Sequence, residues 1–214
     1  MKKILLAVFS LFLVVACEAQ PTGKKVESIR NPTQGKALPV IAVNGSGITI
    51  NGARVWLGDT LDAWKRVLGG TPTCYDAGLI VSCVWHSNGL ILGTGQADKT
   101  RVEFLKLHVA IEPPELGERS PSWPKSPFHG TLELDGVPID ANTEFRDLRR
   151  QVAPARELRC GGRDCGNPSA AFSDGANIYM NLAGRSESSR ILRFSISCSS
   201  TEACKALLPN GENK

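Results

Sequence analysis

The fold of this chain is decided by a short pattern that occurs twice, ITINGARVW at residues 48–56 and LELDGVPI at residues 132–139. In each copy apolar and polar residues alternate on both sides of an Asn-Gly or Asp-Gly dipeptide. Both dipeptides accept the positive φ values of a type I′ turn, so each copy predicts a β-hairpin. Pro138 cannot donate a hydrogen bond to a sheet, which predicts that its strand lies at a sheet edge.

Each hairpin is followed by an amphipathic segment with a polar residue at its start, the pattern of a short helix. The first helix is expected to be capped by Asp59 or Thr60. The second is expected to be capped by Asn142 or Thr143. Both helices would bury one apolar face against the sheets.

The similarity between the two segments continues beyond the helices. Asn51 and Asp135 are 84 residues apart, and two further turn residues, Asn88 and Asp174, are 86 apart. Two cysteines stand between helix and turn in both segments, and strands are expected at Leu90–Leu92, Arg101–Ile111, Ile178–Leu182 and Arg190–Cys198. The sequence therefore predicts an α+β fold of two tandem β-β-α-β-β-β repeats, with mostly antiparallel sheets and one short helix each.

The chain divides into regions of different composition. Residues 40–112 and 129–206 would form the two repeats, and the five prolines of residues 113–128 predict a linker or a rigid surface loop. Residues 17–39 are polar and read as a flexible tether, and residues 207–214 as a disordered tail.

The first sixteen residues have the pattern of an export signal. Lys2 and Lys3 precede an apolar run at residues 4–15, which is shorter than the ~20 residues that cross a bilayer. The run ends in Val14-Val15-Ala16-Cys17, which resembles the lipobox of bacterial lipoproteins. An ordinary secretory signal with an incidental cysteine is the alternative.

The lipobox resemblance implies that the leader is removed and that Cys17 receives a diacylglycerol and an N-terminal acyl chain such as palmitate. Glu18 follows the cysteine where an Asp would favour retention in the inner membrane. The resemblance therefore implies a lipid anchor in the outer membrane, with the protein facing the periplasm.

Once Cys17 is assigned to lipid, the remaining six of the seven cysteines form an even set. An exported chain meets an oxidising compartment, where such a set is read as disulfides. Short loops favour the pairs Cys74–Cys83, Cys160–Cys165 and Cys198–Cys204. A zinc site at Cys160 and Cys165 is the alternative, but no second pair of ligands accompanies it.

Residues with catalytic chemistry are scattered along the chain. The three histidines, His86, His108 and His129, are read as turn or surface residues, with His108 on a solvent-facing side of its strand. Four carboxylates near hairpins and caps would suit a hydrolase that lacks a local motif: Asp59, Asp62, Asp135 and Asp140. Asp59 is better explained as a cap and Asp135 as a turn residue, so no enzyme, metal or cofactor is predicted.

Arginines cluster in the second helix and the loop after it, at Arg146, Arg149, Arg150, Arg156, Arg159 and Arg163. Helical spacing turns Arg146, Arg149 and Arg150 outward. They form either a solvated face neutralised by nearby carboxylates or a contact for an anionic surface, such as lipid headgroups or an acidic protein. The net charge of +4 and the predicted export argue against nucleic acid as a partner.

Trp123 lies in a segment that is stiffened by prolines and has few other apolar residues nearby in the sequence. It either folds back over a sheet or forms an exposed anchor, since a rigid loop that presents an aromatic ring loses little entropy on binding.

These features predict a non-enzymatic protein-binding module at the cell envelope, with an envelope or periplasmic protein as partner. The most concrete version is an inhibitor or immunity protein against an envelope-acting toxin enzyme. On architecture alone, paired α+β sheets are similar to β-lactamase-inhibitor-type proteins and to envelope-assembly lipoproteins. The alternatives are a structural accessory of envelope assembly or secretion and a carboxylate-dependent envelope hydrolase.

Overall fold

Most of the regular secondary structure in the described residues lies in two β-sheets, and both sheets contain strands from the first and the second half of the chain. The computed structural model describes residues 38–45, 47–111, 120–153, 155–160, 165–171 and 176–206. The predicted signal peptide, Cys17 and the tail 207–214 lie outside these residues, as do all but the last two positions of the tether.

The strands, in chain order, are β1 (Val40–Asn44), β2 (Gly47–Ile50), β3 (Ala53–Val55), β4 (Thr73–Asp76), β5 (Val81–Trp85), β6 (Leu90–Thr94), β7 (Val102–His108), β8 (Thr131–Leu134), β9 (Val137–Ile139), β10 (Ser169–Ala171), β11 (Ala176–Leu182) and β12 (Ile191–Cys198). The helices are α1 (Leu61–Leu68), α2 (Phe145–Val152) and α3 (Thr201–Ala206). This content confirms the predicted α+β class.

The strand order shows that the early and late parts of the chain build each sheet together. One sheet has the order β3-β2-β1-β8-β9 and the other β10-β11-β12-β7-β6-β5-β4. Neighbouring strands are antiparallel except for β1 and β8, which are the one parallel pair in the described part of the chain. The two segments predicted as repeats therefore both contribute strands to each sheet: β1, which the sequence pattern did not predict, joins β8, and β7 joins β12.

The hairpins β2–β3 and β8–β9 have the predicted turns. Asn51 and Gly52 have φ values of 52° and 80°, and Asp135 and Gly136 have 49° and 81°. Positive φ at both central residues is the type I′ geometry, which fits the right-handed twist of the flanking strands. Pro138 lies in β9 at the edge of the five-stranded sheet, as expected.

The turn at Asn88 differs from the predicted two-residue hairpin. A 3₁₀ turn at His86–Asn88 and a left-handed Gly89, with φ of 60°, connect β5 to β6. A Cβ at position 89 would collide with the backbone of Phe128, so both the conformation and the close approach require glycine. The corresponding turn at Asp174 lies outside the described residues.

The two longer helices begin differently. The side chain of Thr60 accepts a hydrogen bond from the backbone of Ala63 and caps α1, so one of the two expected caps is confirmed. At α2 the N-cap is Glu144, and its side chain makes no capping bond. The expected cap at Asn142 or Thr143 is wrong, because the Thr143 hydroxyl instead bonds the side chain of Asp140.

Most buried apolar residues of both sheets belong to one continuous hydrophobic cluster, which also includes buried residues of all three helices. Trp64 of α1 is fully buried at its centre, and its indole Nε1 donates to the carbonyl of Trp56 at 2.9 Å. A single core explains how strands far apart in sequence are held in common sheets.

The six cysteines pair as predicted. Cys74 and Cys83 are opposite each other on β4 and β5 and are joined by a disulfide. The other two disulfides are Cys160–Cys165 and Cys198–Cys204, the latter between the end of β12 and α3. None of the described helices is long and apolar enough to cross a bilayer.

Candidate binding surface

A proline-rich loop is fastened onto one end of the seven-stranded sheet. We define the proline loop as residues 120–128. Lys125 and Ser126 donate backbone hydrogen bonds to the carbonyl of His86, each at 3.2 Å, and Phe128 donates to the carbonyl of His108 at 2.7 Å. The later part of the predicted linker is thus an ordered surface loop, bonded to two segments of the sheet.

Trp123 lies at the start of this loop, and its ring is held against the sheet. The ring packs edge-on against the imidazole of His108, with 5.3 Å between centroids and an interplanar angle of 69°. The guanidinium of Arg193 lies 5.3 Å from the centroid of the same ring. Trp123 is nevertheless 42% exposed. It therefore combines both sequence interpretations, because the ring contacts the sheet and still presents a large apolar surface to solvent.

The backbone at Trp123 is fixed through His86. The Nδ1 atom of His86 is 3.1 Å from the Trp123 carbonyl oxygen, and its Nε2 atom is 3.2 Å from the Tyr75 hydroxyl. A carbonyl only accepts, so Nδ1 carries a proton, and in the neutral ring Nε2 accepts from the tyrosine. This histidine, read from sequence as a turn residue, thereby links the proline loop to β4.

His108 is not on a solvent-facing surface, and that expectation is wrong. The residue is only 4% exposed. The sequence alternation of β7 correctly separates His108 from the core-facing Leu107, but Trp123 of the proline loop packs against its imidazole. Sequence periodicity assigns a face to a residue and does not reveal that a distant loop lies over it.

A shallow cavity of about 280 Å³ opens beside the exposed side of Trp123. Its lining consists of residues of the proline loop: Ser120, Pro121, Trp123, Pro124 and Lys125. The tryptophan and two prolines make most of this surface apolar, and Lys125 adds a cation at the rim. The cavity is of a size to accept one apolar side chain.

We call the side of the seven-stranded sheet that faces away from the core the outer face, and it extends beyond Trp123. Along β7 and β12, residues of the outer face alternate with the buried Leu105, Leu107 and Phe194. Its positions are paired as His108 with Arg193 and Lys106 with Ser195. Burial, and secondly the nearby Arg193, lower the pKa of Lys106. Two like charges thus stand close together on adjacent strands beside an aromatic ring.

The arginine cluster predicted as a partner contact is largely neutralised. Arg146 is 3.3 Å from Glu144, and Arg149 and Arg150 pair with Glu187 and Asp147. These three arginines point outward as expected, and each has a carboxylate beside it. The geometry favours the solvated-face interpretation, since paired charges present a weaker field to an anionic partner.

The remaining arginines of that cluster have separate surroundings. Arg159 bonds Glu157 at 2.7 Å and lowers the pKa of that carboxyl by this hydrogen bond. Arg156 is only 8% exposed and binds Asp135. Arg163 lies outside the described residues.

The four carboxylates considered for hydrolysis are engaged locally. Asp59 accepts from the backbone of Trp56 at 3.0 Å, and Asp140 accepts from the backbone of Asn142 at 2.8 Å. Asp62 is 3.5 Å from Lys65, and Asp135 binds Arg156. Asp59, Asp135 and Asp140 thus hold turns, whereas Asp62 lies in an exposed ion pair in the first turn of α1.

Metal binding by the candidate cysteine pair has no support in the geometry. Cys160 and Cys165 are bonded to each other, so neither offers a thiolate. In the part of the chain that the structure describes, no group of three or more His, Cys, Asp or Glu side chains is arranged to hold a metal ion.

Lys106, Arg193 and His86 are residues of this surface that the sequence argument did not select. Lys106 and Arg193 are 87 positions apart, and only the pairing of β7 with β12 brings them together. The alternation of polar and apolar residues in both strands indicated that Lys106 and Arg193 lie on polar faces. The register of β7 against β12 could not be derived from the sequence.

Part of the chain matches a known protein family. Residues 40–149 match the model of a family described as a domain of unknown function (DUF7738). The matched segment runs from β1 into α2 and includes the proline loop and Lys106. No curated protein and no solved structure matches the chain significantly.

Proposed function

The chain belongs to this DUF7738 family, whose description assigns no activity, and we propose from its surface that it is a non-enzymatic protein-binding module. In this proposal the protein is anchored through acylated Cys17 to the outer membrane, faces the periplasm and recognises an envelope or periplasmic protein. The most concrete form is an inhibitor or immunity protein against an envelope-acting toxin enzyme.

The observation that carries the proposal is the way Trp123 is presented. Half-exposed aromatic rings are among the strongest anchors of protein interfaces when they need no ordering on binding. The backbone hydrogen bond within the loop from Trp123 to Ser120, at 2.9 Å, and the His86 contact already fix the backbone at Trp123, and packing against His108 orients its ring. A partner would gain its apolar surface without immobilising a mobile loop.

Export supports the choice of compartment. The three disulfides suit an oxidising environment, as the leader and the lipobox-like Cys17 do. We expect incorporation of labelled palmitate into the full chain and its loss in Cys17→Ser. Palmitate labelling that is unchanged in the variant would contradict the anchor.

A duplicated unit would explain the sequence pattern, and we include it in the proposal. The residue before each of the two longer helices forms an isolated β-bridge with the residue before a long strand. Thr60, before α1, pairs with Arg101, before β7, and Glu144, before α2, pairs with Arg190, before β12. This equivalence and the two type I′ hairpins support a tandem repeat whose strands intermix in both sheets.

Replacement of the anchor tests the binding function. The partner is first captured by the full chain from envelope extracts and identified by mass spectrometry. We expect Trp123→Ala to weaken its binding by at least tenfold, since a hot-spot residue contributes about 2 kcal/mol or more. Leu79→Ala is the matched control, because it truncates a different exposed apolar side chain, and it should change the affinity little. Leu79 is 60% exposed. Equal effects of the two substitutions would count against the proposal.

The immunity form of the proposal has a genetic test. A toxin gene should neighbour this gene, and deletion of this gene should kill cells only when that toxin is produced. An envelope defect that occurs without any toxin would instead support the role in envelope assembly.

A further inference from the structure

The strongest unexplained feature outside the proline loop is the pair of cations on the outer face. Arg193 on β12 is opposite His108, and Lys106 on β7 is opposite Ser195, so the two cations occupy diagonal positions on adjacent strands. Diagonal neighbours on one face of a sheet are roughly 7–8 Å apart at Cα, within reach of long side chains.

Neither cation has a carboxylate partner within the described ranges of the chain. The ion pairs found there involve other basic residues, including the arginines of α2. The outward positions of the three neighbouring strands around the pair also carry no acidic side chain: Lys106, His108, Tyr179, Asn181, Arg193 and Ser195. Partial burial of two like charges is unfavourable, and a carboxylate supplied from outside would relieve it.

The surroundings of the cations are those of a protein contact. Lys106 lies 5.6 Å from the centroid of the Phe104 ring, Arg193 lies over Trp123, and Tyr179 on β11, opposite Ser195, is 45% exposed. Aromatic residues and arginine are enriched at the centres of protein interfaces. The apolar cavity beside Trp123 adds a place for one side chain next to the charge pair.

We infer that the outer face, centred on Lys106 and Arg193, binds an acidic loop of a partner protein that places an Asp or Glu carboxylate between these two cations. This inference rests on the proposed binding function and names the chemistry of its partner. The loop's apolar neighbour would occupy the cavity at Trp123.

A membrane surface fits this face less well than a protein loop. Attraction to anionic headgroups depends on several exposed, long basic side chains that each reach the surface. Here two cations are partly buried among aromatic rings on a sheet, which suits recognition of one desolvated carboxylate.

The first experiment locates the contact with the full chain in cells. The photoreactive residue p-benzoylphenylalanine replaces Tyr179, a conservative aromatic change on the outer face. Matched positions elsewhere are Arg150 on α2 and Leu79 at the turn between β4 and β5. We expect irradiation to join a protein, identified by mass spectrometry, at position 179 and not at the other two.

The second experiment tests the charge pair with that purified partner. We expect Lys106→Gln and Arg193→Gln each to lower affinity at least tenfold, whereas Arg150→Gln, which removes an equal charge elsewhere, changes it less than twofold. Arg193→Lys should recover part of the loss. Replacement of the partner's acidic residue by its amide should add nothing to the double variant Lys106→Gln/Arg193→Gln, because that variant has already lost both cationic contacts of the carboxylate.

The outcomes separate the inference from the function on which it rests. A protein joined at position 150 or 79 instead of 179 leaves the binding function intact and overturns the outer face as its site. A lipid adduct at 179, or affinity insensitive to both Gln variants, overturns the acidic-loop partner. If irradiation joins no protein at any of the three positions, both proposals are contradicted. Circular dichroism of each variant checks that the sheets remain folded.

Discussion

At the scale of single residues, a buried ion pair holds two turns and the end of a helix together. The guanidinium of Arg156 contacts Asp135 through two bonds of 2.7 and 3.0 Å, and it also donates to the carbonyl of Gly45 at 2.7 Å. Asp135 in turn accepts from the backbone of Gly45 at 3.0 Å. The turns between β1 and β2 and between β8 and β9 are thereby fixed to the segment after α2.

Removal of one charge from this pair should destabilise the fold strongly. Asp135→Asn keeps a residue suited to the type I′ turn but leaves Arg156 buried without its counterion, so we expect a loss of about 3–5 kcal/mol. Asp62→Asn, in an exposed pair, should cost less than about 1 kcal/mol. Urea denaturation measures both, and similar costs for the two variants would contradict the assignment.

Lys106 illustrates the opposite relation between charge and stability. Burial and Arg193 lower its pKa below the usual 10.5, so the folded state disfavours the charged lysine. The unfolded chain then binds more protons between the two pKa values, and stability rises with pH across that window. Below the folded-state pKa of Lys106 the full penalty is present.

Lys106→Met should therefore stabilise the protein while it weakens partner binding. We expect a gain of less than about 1 kcal/mol at pH 7, because the side chain retains partial solvation. The gain should shrink as the pH rises toward 10.5. Thermal melting at several pH values measures it, with Lys125→Met in the exposed proline loop as control; a gain that grows with pH would refute this explanation.

At the scale of elements, the caps of α1 and α2 should differ in energetic weight. Thr60→Ala removes the hydroxyl that accepts from Ala63 at 3.2 Å and should cost about 1 kcal/mol. Glu144→Ala removes no capping bond and should cost less than about 0.5 kcal/mol. Chemical denaturation compares the two, and a larger cost at Glu144 would show that its side chain supports the helix in another way.

Local chemistry explains which elements were predictable. The Asn-Gly and Asp-Gly hairpins, the edge position of Pro138 and the cap at Thr60 depend on neighbours within a few residues. The start of α2 was missed because Thr143 is diverted to Asp140. The short helix α3 was missed too, although Ser200 caps it by accepting from Ala203 at 3.1 Å.

The candidate surface was predictable in part for the same reason. Trp123 could be selected from its own segment, because prolines on both sides stiffen the loop. Lys106 and Arg193 could not, because their proximity depends on the register of β7 against β12. The arginines of α2 were correctly turned outward, but Glu187, the partner of Arg149, is 38 residues away in the chain.

At the scale of the whole molecule, neither half of the chain contains a complete sheet. The five-stranded sheet depends on β1 with β8, and the seven-stranded sheet on β7 with β12. Buried side chains from both halves then share one core. The two predicted repeats are thus structurally interdependent.

Separation of the halves should therefore abolish folding. We expect residues 38–128 and residues 129–206, produced alone, to lack cooperative thermal transitions, because each exposes core residues and unpaired strand edges. Co-expression should restore a native near-ultraviolet spectrum. A sharp transition for either fragment alone would show that its half folds independently.

The shared sheets also determine when the protein can fold as it emerges from the ribosome. The leading segment presents the free edges of β1 and β7 until residues 131–134 and 191–198 have followed it. Pairings between such distant strands form slowly, and open edges in the interval invite association with other chains. A chain of this design has a period of exposure during its biogenesis, and holding chaperones would act on the protein in that interval.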